Sequence, residues 1–212
     1  MTQTPASADG APTLGNLRVS ELLVQTAAKS PTPGGGAIAA LTGAHACALA
    51  GMVVSYSLGR KDLVAHQDML AQADVRLRAA REEFVQLGDL DAQAYGALNA
   101  LQKLAPDDAR RVAELPGAIE RATAVPLRCL RLVEQCAMTC RGLVGASNKW
   151  LVSDLVISGV LLDAAARACL CNVRINLPLI DDEARRALLT REAEGLEAKA
   201  RELARQIAQG AG

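Results

Sequence analysis

From 34 to 58 the chain carries no Asp, Glu, Lys or Arg. That length suffices to cross a membrane, but the stretch is rich in Gly, Ala, Ser and Thr, contains His45 and is only modestly hydropathic. No second charge-free stretch accompanies it, because 151–173 carries Asp154, Asp163 and Arg167. The pattern predicts a helix over 35–58 buried at the centre of a soluble bundle. Gly35, Ala39, Gly43, Cys47 and Gly51 recur every four residues along it, and such a row of small side chains lets a neighbouring helix approach closely.

Helices are expected on both sides of this segment. A first one starts near Ser20, with Glu21 in its opening turn, and stops before Ser30-Pro31. After the Gly59-Arg60-Lys61-Asp62 turn, with Asp62 as N-cap, a long third helix is predicted to about 103, irregular near Gly88. Pro106 and Pro116 bracket a connection, and a fourth helix follows to about 145, where Pro126 predicts a kink or break. A fifth spans 149–175 and ends at Leu177-Pro178. The last, over 182–209, places Leu189, Ala193, Leu196, Ala200, Leu203 and Ile207 alternately four and three apart, a heptad stripe that needs a partner.

The expectation is therefore an all-α, single-domain bundle of about six helices with a long buried central helix. It occupies 17–212 and follows a polar leader, 1–16, read as disordered. Composition agrees: half of the 212 residues are hydrophobic but only 2% are aromatic, which suits close-packed helices better than sheets. The formal net charge is zero with no basic run, which argues against nucleic acid as a partner, and the better reading of 34–58 as a core helix argues against a membrane. Six cysteines without a CxxC pair read as reduced core thiols of a cytoplasmic protein, and the N-terminus lacks a secretion signal. With two histidines and no Glu-x-x-His, no metal site is expected.

Four sets of polar residues interrupt the apolar pattern, and burial there has a cost unless they are paired or useful. The SPTPGGG stretch at 30–36 puts Pro33, Gly34, Gly35 and Gly36 at a helix start, where free N–H groups favour an anionic or carbonyl ligand. A tight turn with close packing explains the same residues equally well. Asp91 and Tyr95 lie one turn apart, as a surface pair or a catalytic one. Asn148 precedes Ser153-Asp154, where Asp154 is either a buried acid or a first-turn residue favoured by the helix dipole. Asn172 and Asn176, again one turn apart, serve either a ligand or a helix C-terminus.

Taken together, SPTPGGGAIAALTGA, the GRK turn, DAQAY, ATAVPL, Asn148 with the following SD, and NVRIN resemble the cyclodeaminase/cyclohydrolase family over nearly the whole chain. That family comprises the cyclodeaminase half of formiminotransferase-cyclodeaminase and related bacterial methenyltetrahydrofolate cyclohydrolases. The resemblance implies an all-α homodimer acting on a tetrahydrofolate derivative as substrate, with no bound cofactor. It implies methenyltetrahydrofolate cyclohydrolase activity, favoured because the sequence as given holds no transferase domain. The alternatives are formimidoyltetrahydrofolate cyclodeaminase and a non-catalytic folate-binding or scaffold protein. Asp91 and Asp154 are the expected base and charge partner for a cationic bridge, and Lys61 has an acid/base or electrostatic role. Pro33, Gly34, Gly35, Gly36, Tyr95, Asn148, Ser153, Asn172 and Asn176 are the expected substrate-binding residues.

Helix arithmetic adds a geometric expectation. At ~1.5 Å per residue the second helix holds Gly36 and Lys61 roughly 35 Å apart. An antiparallel third helix returns Asp91 and Tyr95 to the glycines, and the fifth puts Asn148 and Asp154 near Lys61 but Asn172 and Asn176 near the glycines. Two half-sites at opposite ends then require a two-fold partner to join them.

Overall fold

The computed structural model describes residues 13–210. Its helices are α1 (Val19–Ala27), α2 (Gly35–Ser55), α3 (Gln67–Gln102), α4 (Ala109–Leu143), α5 (Val152–Asn176) and α6 (Glu183–Gln209), and no strand occurs among the described residues. Of the expected leader, 1–12 lies outside the described residues. Its end is built into the fold, because Leu14–Asn16 forms a 3-10 turn whose Leu14 is buried and donates its N–H to Asp89 Oδ1 at 2.8 Å.

α2, α3, α4 and α5 pack as a closed ring, each against two neighbours, and α6 lies along the groove between α4 and α5. Twelve of the 21 residues of α2 are buried, nearly all of them Gly, Ala, Val or Cys. The row of small residues explains how α3 comes so close: a Cβ on Gly43 would stand 2.7 Å from the Phe84 ring, which is fully buried. Cys47 from the same row meets Cys136 of α4 with their sulfurs 3.4 Å apart, and five of the six thiols are buried. Leu189, Ala193, Ala200 and Ile207 are buried too, so the heptad stripe of α6 finds its partner within the same chain.

Three local expectations give way. Asp62 does not cap α3; it pairs with Arg60 at 2.8 Å, and a 3-10 segment, Lys61–His66, precedes the helix. α3 continues unbroken past Gly88. α4 runs through both Pro116 and Pro126 without a break. Proline cannot donate to the carbonyl four residues back. At Pro116 that carbonyl belongs to Val112, which is exposed and open to water. At Pro126 it belongs to the buried Ala122, and Asn176 of α5 supplies the missing donor at 2.9 Å.

Two segments, Gly35–Ser55 and Lys149–Leu179, are long and apolar enough to cross a membrane by length and composition, one more than the charge pattern predicts. Both form walls of the ring, and only about half of each is buried. Met52 on α2 and Ile157, Val160 and Ile175 on α5 are left exposed.

Candidate active site

Pro31 and Thr32 lead into the start of α2 through Gly34, which is extended and precedes the first helical residue, Gly35. The first bond inside the helix runs from Ile38 N–H to Gly34 C=O, so the N–H groups of Gly35 and Gly36 have no partner within it. They open onto a cleft of about 280 Å³ lined by this loop, by Asp91 and Tyr95 of α3, Ala122 of α4, and Asn172, Ile175 and Asn176 of α5. Helix α3 returns antiparallel, as the arithmetic requires, and brings Asp91 against the glycines.

Asp91 is held there by the absence of a side chain at 36: a Cβ on Gly36 would collide with its carboxylate. Burial pushes the carboxyl up from 3.8 to about 6, against a lowering hydrogen bond from the Ala37 backbone. The carboxylate thus lies against the first turn of α2 from another helix while remaining in the cleft wall. Tyr95, one turn on, is 43% exposed and presents its ring at the rim.

The two asparagines of α5 complete the opposite wall. Asn172 Nδ2 donates to Ala168 O at 2.9 Å, and its side-chain oxygen is the nearest atom to the place of a Cβ on Gly35. Asn176 Nδ2 donates to Ala122 O. A carbonyl only accepts, so both carboxamides are oriented with nitrogen on the backbone and oxygen free. The cleft therefore pairs backbone donors on one side with an ionisable carboxyl and two amide oxygens on the other.

Lys61, Asn148, Ser153 and Asp154 are not in this cleft. They gather at the far end of α2, which at 21 residues is about 30 Å long. Asn148 N–H donates to Ser57 Oγ at 2.8 Å, its Nδ2 donates to Tyr56 O at 3.3 Å and its Oδ1 accepts from Trp150 N–H at 3.1 Å. Its side chain is engaged in tying the start of α5 to the end of α2. Ser153 is exposed, and Asp154 is half-buried in the first turn of α5. Lys61 is exposed and forms no ion pair among the described residues.

Pro33 is buried and does not line the cleft; its neighbours Pro31 and Thr32 do, together with Ala122 and Ile175. Pro31 and Thr32 lie within the stretch singled out from sequence, and Ala122 and Ile175 lie within ATAVPL and NVRIN. An alanine and an isoleucine carry no chemical signal of their own, so only the fold identifies them.

Residues 18–195 match the family described as Formiminotransferase-cyclodeaminase. A methenyltetrahydrofolate cyclohydrolase of Methylorubrum extorquens is 29% identical over 197 residues, covering 91% of this chain and 95% of the relative. The formimidoyltransferase-cyclodeaminase of Rattus norvegicus is 31% identical over 163 residues, 75% of this chain, and this match spans only 30% of the rat protein. Among solved structures, a formiminotetrahydrofolate cyclodeaminase of Thermotoga maritima superposes with a TM-score of 0.86 at 28% identity, covering 92% of this chain and 96% of that one. With the family matched over most of its length and the fold shared with a solved relative, this chain belongs to the formiminotransferase-cyclodeaminase family.

Proposed function

We propose that this protein is a methenyltetrahydrofolate cyclohydrolase, interconverting 5,10-methenyltetrahydrofolate and 10-formyltetrahydrofolate in one-carbon metabolism. The observation that carries the reading is a carboxyl titrating at about 6 in a cleft whose other side chains are neutral. The methenyl bridge is a cation, so a carboxylate beside it attracts the substrate. A group that titrates near neutrality both takes and returns protons.

Water attacks the bridging carbon and passes a proton to the Asp91 carboxylate, leaving a neutral carbinolamine. The bond from that carbon to N5 then breaks as the hydroxyl releases its proton to solvent. N5 takes the proton held by Asp91, and the formyl group stays on N10. One proton leaves overall, which balances the loss of the positive charge. The Gly35 and Gly36 N–H groups suit an oxygen that gains negative charge on the way. The nearly full-length match to a relative named for this activity supports the choice. The Thermotoga maritima neighbour favours a second reading, cyclodeaminase, in which 5-formiminotetrahydrofolate closes with loss of ammonia on the same groups.

The test is the absorbance of the methenyl chromophore with purified protein. Its decay well above the buffer rate is the expected result, and decay at the buffer rate removes this reading. Appearance of the chromophore from 5-formiminotetrahydrofolate promotes the second.

The working unit in this proposal is a homodimer. Its support is the set of apolar side chains left exposed, Met52 on α2 and Ile157, Val160 and Ile175 on α5, on helices whose outward face runs between the cleft and the Lys61–Asp154 end. A two-fold partner on that face brings Lys61 and Asp154 of the partner subunit to the glycine cleft, where Asp154 helps neutralise the cation and Lys61 acts on developing negative oxygen. Mixing inactive Asp91→Asn and Lys61→Ala variants, with subunit exchange, then restores about a quarter of wild-type activity, since half the dimers are mixed and each holds one intact site. Recovery of nothing places both residues in one subunit's site.

A further inference from the structure

Pro126 stands in the interior of α4, where its ring nitrogen has no hydrogen, so the Ala122 carbonyl one turn earlier lacks a donor within its own helix. That carbonyl belongs to a residue of the cleft wall that is only 5% exposed. Asn176, the last residue of α5, donates Nδ2 to it at 2.9 Å. With nitrogen facing Ala122, the Asn176 oxygen faces away. This oxygen accepts no hydrogen bond among the described residues, yet it is not one of the buried polar atoms left without a partner. It is therefore open to the cleft that Asn176 lines. Pro126 itself is buried in α4 and takes no part in the cleft wall.

We propose that Pro126 is a positioning residue: the N–H it withholds from Ala122 fixes the Asn176 carboxamide with its oxygen turned into the cleft, as acceptor for a ligand N–H. This rests on the folate reading, in which the amine and amide N–H groups of the reduced pterin are the donors available. An ordinary residue at 126 would satisfy Ala122 from within α4 and leave the Asn176 amide free to rotate. An amide presenting nitrogen in place of oxygen would repel the same ligand N–H. Asn172 makes the parallel arrangement one turn earlier through Ala168, but there both partners belong to α5, so its orientation does not depend on α4.

The test is a double-mutant cycle of Pro126→Ala, Asn176→Ala and the two combined, with Tm and steady-state constants for methenyltetrahydrofolate measured on the full chain. Asn176→Ala leaves a buried carbonyl unpaired and is expected to lower Tm by about 3–6 °C. Adding Pro126→Ala returns the helix N–H and recovers most of that loss. Pro126→Ala alone keeps Tm within about 2 °C of wild type, yet raises KM about fivefold with kcat changed by less than about twofold. A merely structural proline would not separate KM from Tm in this way. In the double variant KM is no higher than in Asn176→Ala. Additive Tm losses, or a Pro126→Ala enzyme with wild-type KM, overturn the proposal. A wild-type chain that turns over no folate overturns the folate reading alone, because the Tm cycle still decides whether Pro126 and Asn176 are linked.

Discussion

Asp91→Asn is expected to lower turnover by about 10³-fold and, at neutral pH, to raise the melting temperature. The two effects have one cause. The carboxyl is held against Gly36 and away from water, which raises its folded pKa from 3.8 to about 6. Between these values the folded chain binds a proton that the unfolded chain has released, so stability falls as pH rises through that window. Above it the full cost of the buried anion is present, on the order of 2 kcal/mol once partial solvent exposure is allowed for. Asparagine keeps the shape and an oxygen for the Ala37 N–H, but has no charge to bury. Thermal unfolding at pH 7.5 should show the variant about 3–6 °C more stable, with the gain gone at pH 4. A gain independent of pH would place the effect elsewhere. In the wild type, kcat/KM should climb through pH 6 as the base ionises, and this limb should be missing from the residual activity of the variant.

Gly36→Ala is the complementary change, since it leaves Asp91 in place chemically but takes away its room. The new Cβ would occupy space filled by the carboxylate, and a side chain as short as Asp has no distant end to move aside. Asp91 must rotate out of the wall, losing the Ala37 contact and gaining water. Displacement of a reacting group by about 1 Å costs on the order of 10²-fold in rate, and a loss of 10²-fold or more in kcat/KM is expected. The remaining activity should rise with pH at a lower value than in wild type, because a hydrated carboxyl returns toward 3.8. Alanine ordinarily stabilises a helix by about 0.5–1 kcal/mol relative to glycine, so a folded but inactive variant isolates the clash. Wild-type activity in a folded Gly36→Ala enzyme would mean that the position of Asp91 against α2 has no part in the reaction.

Much of this geometry was legible in the residues. The charge-free run, the prolines and glycines before it, and the polar residues one turn apart placed Asp91, Tyr95, Asn172 and Asn176 at the same end of the bundle as the glycines, because helix length alone decides which end a residue reaches. The continuity of α4 was not legible. Pro126 reads as a kink or a break in any local window, and the group that lets the helix continue arrives from α5 after a long interval of chain. Asp62 likewise reads as a cap until Arg60, two residues away, takes its carboxylate. Asn148 looked like a free polar side chain for a ligand, yet the backbone of Tyr56 and Trp150 engages both ends of its amide. Each polar group is taken by the chain itself, from two residues away at Asp62 and from across the fold at Ala122 and Asn148.

The uninterrupted length of α3 has a consequence for how this chain tolerates change. Asp91 is reached by counting 24 residues along a single helix from Gln67. Inserting one residue anywhere on that path turns Asp91 by about 100° and moves it about 1.5 Å, enough to point it out of the cleft. The connection between α3 and α4, by contrast, can lengthen without turning either helix. Insertions and deletions compatible with the site should therefore collect at that connection, while α3 behaves as a ruler whose divisions cannot be changed singly.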